Sequence, residues 1–153
     1  MALLAHLLGH PLRLALSTLK VTCLAHLTLT HLVQVSPAQG PSMLPTLSVD
    51  GDWIAADMTA RRGRGVAVGD LVLYRIPLFA TQNGVKRVVG MPGDFVPEGH
   101  CWIVGDNLPA SRDSRQFGPL PLALVQGKIV AKVLPWRERH WIENGLQRTQ
   151  DAP

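Results

Sequence analysis

A chain of 153 residues, 46% of them apolar, is long enough for one domain with an appendage and too short for two full domains. Its formal charge of +4 invites a nucleic-acid reading, but the arginines are scattered, aromatics are few, and no recognition-helix, RNP or zinc pattern accompanies them, so nucleic acid is not an expected partner. Cys23 and Cys101 lie far apart and read as ordinary buried residues without a disulfide framework, and His6 and His10 lack a third ligand, so neither a metal nor another cofactor is expected.

Residues 1–35 make the first unit. From Leu12 to Val35 the chain is mostly Leu, Val, Ala and Thr, interrupted by Arg13, Lys20, His26 and His31. As a helix this stretch is long enough to cross a hydrocarbon core of roughly 30 Å. Lys20 is costly in lipid, so the better-embedded part is Val21 to Val35, with Lys20 reaching towards one interface. Arg13 and Lys20 stand on the N-terminal side and no Lys or Arg occurs from Val21 through Ala60, which orients the N-terminus inwards. Two other readings compete with the anchor: a signal peptide cut near Ser36-Pro37-Ala38, and an amphipathic helix packed on the domain.

Beyond Ser36 the period changes. The runs 52–57, 70–76, 85–89, 101–104 and 127–134 are short, rich in β-branched or aromatic residues, and bounded by Gly, Pro, Asp and Asn. They predict an all-β domain over residues 36–141. Only Pro121-Leu122-Ala123-Leu124-Val125 reads as a helical turn, with Pro at an allowed first position. Arg61-Arg62-Gly63-Arg64-Gly65 reads as a solvated loop and Gln82-Asn83-Gly84 as a hairpin turn. Residues 142–153 read as a polar tail that is frayed from Asn144 onwards.

The candidate nucleophile lies in Gly40-Pro41-Ser42-Met43-Leu44-Pro45-Thr46-Leu47. Pro41 and Pro45 fix their own φ and push the residues before them towards extended conformations, which holds Ser42 in one orientation. A serine hydroxyl also needs a base. His100, after Pro97-Glu98-Gly99, reads as a turn residue, whereas Lys86 shares a strand face with Val88, where apolar neighbours strip water from its ammonium. To act near neutrality its pKa must fall by roughly three units, worth about 4 kcal/mol, which burial can supply.

Three stretches occur in order: Ser42-Met43-Leu44-Pro45-Thr46-Leu47; Lys86-Arg87-Val88-Val89-Gly90-Met91-Pro92-Gly93-Asp94; and Gly105 to Pro119, which contains Asp106-Asn107 and Ser111-Arg112-Asp113-Ser114-Arg115. Together they make the chain resemble the signal peptidase I family of Ser-Lys endopeptidases, from Gly40 to about Trp141, with the preceding helix in the family's usual place. The single-anchor layout looks most like the mitochondrial members. The resemblance implies Ser42 as nucleophile, Lys86 as general base, Ser111 oriented to hydrogen-bond the Lys86 amine, Asp113 and Arg115 as a structural ion pair, and Asp106 and Asn107 as shapers of the loop that carries them. Bacterial relatives often place a serine at the position of Gly40 to bind the oxyanion; here the backbone N–H of Ser42 must serve. The implied substrates are precursor proteins with sorting signals, bound in extended form with small side chains in the pockets, and the implied partners are membrane lipid and a second protease subunit in a heterodimer. The implied place is the mitochondrial inner membrane, with the catalytic domain facing the intermembrane space. A bacterial-type leader peptidase and a non-catalytic scaffold subunit are the alternatives; self-cleaving repressors share the chemistry but need a helix-turn-helix domain that is absent. One departure stands out. Only Phe95 and Val96 separate Asp94 from Pro97, where relatives usually run a longer excursion, so a pair of strands is expected to be missing or reduced to a tight turn, leaving apolar surface uncovered and the domain less stable.

Overall fold

The computed structural model describes residues 11–77, 79 and 81–145. The tail from residue 146 onwards, with His6 and His10, lies outside them.

Helix α1 spans Pro11–Leu27 and continues as a wider π turn over Thr28–Leu32, and none of its residues is buried against the domain. Three of its threonines satisfy their hydroxyls within the helix: Thr18, Thr22 and Thr28 each donate to the carbonyl four residues back, at 2.7–2.9 Å. The 22 residues Pro11–Leu32 are long and apolar enough to cross a membrane, and none of them is buried, which does not fit a helix packed on the domain.

The helix stops at Leu32, short of the expected Val35, because Val33–Ala38 is claimed by the sheet as strand β1. Val33, Val35 and Pro37 pair with Asp57, Ala55 and Trp53 of β2 (Asp52–Asp57). Pro37 is tolerated because β1 is an edge strand.

The remaining strands are β3 (Leu71–Arg75), β4 (Asn83–Gly90), β5 (His100–Val104), the two-residue β6 (Leu120–Pro121), β7 (Val125–Leu134) and β8 (His140–Trp141). A four-residue helix α2 (Ser114–Phe117) sits between β5 and β6. All pairings are antiparallel, in the order β1-β2-β7-β3-β4-β5-β6, with β8 added to β7. The architecture is therefore mostly β, preceded by one helix of membrane-spanning length.

Strand β3 lies in the middle and is buried on both faces. Leu71 and Leu73 join one apolar cluster with Met43, Leu47, Ile54 and Ile129. Val72 and Tyr74 join the other with Val88, Cys101, Ile103 and Leu120. Cys101 is fully buried, but Cys23 is exposed on α1, contrary to its reading as a buried residue.

Two local expectations are corrected and one holds. Asn83-Gly84 is not the hairpin turn: it opens β4, opposite Arg75 and Tyr74, and the Ile76 N–H donates to Gln82 O before it. The glycine serves a close approach instead, since a Cβ on Gly84 would stand 2.8 Å from the Tyr74 ring. The 3₁₀ segment Met58–Gly63, capped by the Asp57 carboxylate on the Thr59 N–H, breaks at Arg61 and Arg62, whose backbone angles are not helical, so the arginine run is a loop there as expected. The start of the expected tail is docked: Ile142 packs on the first cluster and Asn144 donates to Val68 O and Asp70 Oδ1.

Between β4 and β5 the chain passes over residues 91–99, held by Asp94 Oδ2 accepting from the Met91 N–H at 2.9 Å. Phe95 projects fully into solvent and Val89 is 44% exposed.

Candidate active site

Ser42 sits in a 3₁₀ turn, Pro41–Met43, with Pro41 at its first position. Met43 and Leu47 anchor the segment in the first core cluster, 3% and 2% exposed, and the Leu47 N–H donates to Met43 O. Asn107 clamps the other side: its backbone N–H donates to Ser42 O at 3.0 Å and its Nδ2 to Pro41 O at 3.0 Å. Gly40 enters the turn at φ 103° and ψ 156°, a conformation essentially closed to side chains. A side chain at this position would need a different backbone.

Lys86 projects from β4 on the face it shares with Val88, and its cross-strand partner on β3 is Val72. Both valines are fully buried and Lys86 itself is 6% exposed. Its Nζ stands 2.7 Å from Ser42 Oγ and donates to Val85 O at 3.0 Å. Burial lowers the Lys86 pKa below its ordinary 10.5; the negative charges of Asp113 and Asp106 pull it back only in part.

The remaining residues of the third stretch form a scaffold around this pair. Asp113 is fully buried and accepts from Ser111 Oγ at 2.6 Å, from the Gly105 N–H at 2.9 Å, and from Arg115 Nε at 2.8 Å. Burial alone would raise its pKa, but the hydrogen bonds from Arg115, Ser111 and Gly105 hold the carboxyl well below the usual carboxylate range. Ser111, read as a partner of the Lys86 amine, gives its proton to Asp113, the stronger acceptor.

Gly105 was part of the motif without a role, and the geometry supplies one: a Cβ there would lie 2.5 Å from Ser42 O and 2.6 Å from Ser111 Cβ. Glycine lets the Ser42 turn and the Ser111 loop touch.

Arg87 and Thr46 make contacts the sequence did not suggest. Arg87 grips Asp106 with Nε and Nη2 at 2.8 and 2.7 Å and reaches Gly69 O with Nη1 at 2.8 Å. Thr46 donates to the same carboxylate. Asp106 thereby ties the nucleophile segment, the lysine strand and the third stretch together. Its pKa, pushed up by burial, is brought below the ordinary value by the Arg87 and Thr46 hydrogen bonds.

The pair opens onto a cleft of about 850 Å³ bounded by β1 at Ser36 to Ala38, by β4 at Asn83 to Val85, and by Tyr74 and Phe79. Both strands present unused edges to it. β1 ends the sheet, and β5 pairs β4 only from Arg87 onwards.

If Lys86 is the base, cleavage follows its neutral form. Activity then rises with pH through a value below 10.5 and levels off above it. A kcat/KM profile that is flat from mildly acidic to alkaline pH would rule lysine out.

A family model described as "Signal peptidase, peptidase S26" matches residues 12–96 and 94–136, its two pieces meeting where the excursion after Asp94 is short. The chain is 35% identical over 148 residues to mitochondrial inner membrane protease subunit 1 of Schizosaccharomyces pombe, covering 88% of this chain and 93% of the relative. It is 40% identical over 133 residues to mitochondrial ATP-independent inner membrane protease subunit 1a of Arabidopsis thaliana, covering 76% and 79%. A zebrafish (Danio rerio) protein named mitochondrial inner membrane protease subunit 2 is 36% identical over 129 residues, covering 74% and 69%.

Proposed function

The chain belongs to the peptidase S26 family of signal peptidases, and from that membership we propose that it is a membrane-anchored serine endopeptidase in which Ser42 attacks and Lys86 is the general base. The observation that carries this reading is the 2.7 Å contact between Lys86 Nζ and Ser42 Oγ, made by a lysine that its apolar surroundings push towards the neutral form.

Neutral Lys86 takes the Ser42 proton as Oγ adds to the scissile carbonyl, and returns it to the leaving amine when the tetrahedral species collapses to the acyl-serine. Water activated by the same amine then releases the acid and regenerates Ser42. The backbone N–H of Ser42, early in a 3₁₀ turn where such groups lack intrahelical acceptors, faces the developing oxyanion. Ser111, Asp113, Arg115, Asp106 and Asn107 act through position: they hold the turn carrying Ser42 and the strand carrying Lys86 at the proton-transfer distance.

The substrate is a precursor segment bound as an extended strand between the free edges of β1 and β4, with small side chains facing the cleft floor at Tyr74. Similarity to proteins named as subunits 1 and 2 of the mitochondrial inner membrane protease supports placement in that membrane and pairing with a second protease subunit. The β domain, residues 36–141, would face the intermembrane space and process sorting sequences there.

The test is incubation of the purified, detergent-solubilised chain with a sorting-signal peptide, with Ser42→Ala alongside: cleavage by the wild type alone is expected, and equal cleavage by both would reject the reading. Anchoring has its own readout. The protein should resist alkaline extraction from mitochondrial membranes and become protease-sensitive once the outer membrane is opened; release into the soluble fraction would favour a cleaved signal.

A further inference from the structure

The catalytic reading leaves one charged feature unexplained. A second pocket, of about 400 Å³, lies under the junction of helix and domain, lined by Arg61, Arg62 and Arg75 together with Gln34, Gln126 and Met58. We propose that this pocket binds the phosphate of an anionic lipid headgroup.

The cations are available. The ion pairs among the described residues use Arg87, Arg115, Lys128 and Lys132, and no carboxylate pairs with Arg61, Arg62 or Arg75. Arg62 and Arg75 are exposed, and two glutamines add neutral polar groups to the lining. Guanidinium groups converging without acids, on a concave polar surface, suit a planar-fork grip on phosphate oxygens.

The backbone is shaped for this display. Arg62 adopts φ 59°, in the left-handed region that a side chain other than glycine enters only at a cost, and such conformations concentrate at ligand clamps. The next residue, Gly63, is confined as well, since a Cβ on it would lie 2.7 Å from Leu122 Cδ2.

The position selects the source of the phosphate. Arg61 Nη2 donates to Thr30 O at 3.0 Å, which fastens the arginine segment to the last turn of the apolar helix. Gln34 in the lining follows that turn by two residues, after Leu32. On the anchoring proposed above, the pocket stands where the hydrocarbon ends and headgroup phosphates begin. Topology does not demand these arginines, because the orienting charges are those on the other side of the span.

The experiment follows thermal unfolding of the full-length protein in nonionic detergent micelles, so its outcome does not depend on Ser42 chemistry. Phosphatidylglycerol added to the micelles should raise the melting temperature by about 5 °C near saturation, and phosphatidylcholine should not. Arg62→Gln with Arg75→Gln should lose most of the shift while cleaving peptide normally without the lipid. Arg137→Gln with Arg139→Gln removes equal charge elsewhere and should keep it. Equal loss in both double variants would replace the site with diffuse attraction. A matching shift from inorganic phosphate would make the pocket a soluble-anion site, and a matching shift from polyglutamate would make it a peptide site. Either result, or no shift with phosphatidylglycerol, overturns the proposal.

Discussion

Ser42→Ala and Lys86→Met are each expected to reduce peptide cleavage by about 10⁴-fold or more, and the double variant to be no slower than the worse single one. Nucleophile and base act as one unit, so removing either removes the function of both. Methionine suits the second test because it keeps the length and apolar character of the lysine stem between Val72 and Val88. The Lys86→Met protein should melt no lower than wild type. Burial disfavours the charged amine, so a protonated Lys86 costs folding free energy at every pH below its lowered pKa, and that cost fades as pH rises towards 10.5. Lost activity with retained melting temperature is the result expected; more than a few per cent residual turnover in either single variant would sink the dyad.

The largest effect on stability is expected at Asp113→Ala. The carboxylate is fully buried and accepts from Ser111, Gly105 and Arg115, so its removal strands the Ser111 hydroxyl and the Gly105 N–H and takes the anion from the part-exposed Arg115. Breaking a buried charged network from one side typically costs about 3–5 kcal/mol, or on the order of 10 °C in melting temperature for a chain of this size. The pH dependence separates this from simple loss of packing. Because the folded pKa of Asp113 lies below the ordinary 3.8, its contribution is complete above that value and is lost as pH falls through the folded one. The gap between wild type and Asp113→Ala should therefore narrow in acid, as followed by urea unfolding at a series of pH values. A gap of constant size would show that the charge is not what stabilises.

The meeting of Ser42 and Lys86 was legible because its signals are local: stiff prolines around Ser42, and an alternating strand that puts Lys86 beside Val88. The five central strands could be read for the same reason. What escaped depends on contacts across the chain. β1 begins inside an apolar run that reads equally as helix, and only the pairing of Val33 and Val35 with β2 decides it. β6 and β8 have two residues each, too few to show a period. Asn83-Gly84 carries a strong turn signal, yet Tyr74 packs against its glycine and makes the dipeptide part of a strand. Arg87 and Asp106 are nineteen positions apart, and nothing in either neighbourhood announces a bidentate bond between them.

The direct passage from helix to edge strand gives the enzyme a ruler. With no spacer between Leu32 and Val33, and with Arg61 fastening the last turn of the helix to the domain, the cleft cannot swing freely above the bilayer. At roughly 3.3 Å per residue along β1, the height of the cleavage centre is set by a handful of peptide units. If the proposed function holds, precursors would be sorted by how far their scissile bond emerges from their own anchor as well as by the side chains beside it. A good recognition sequence placed too close to the lipid would pass beneath the blade.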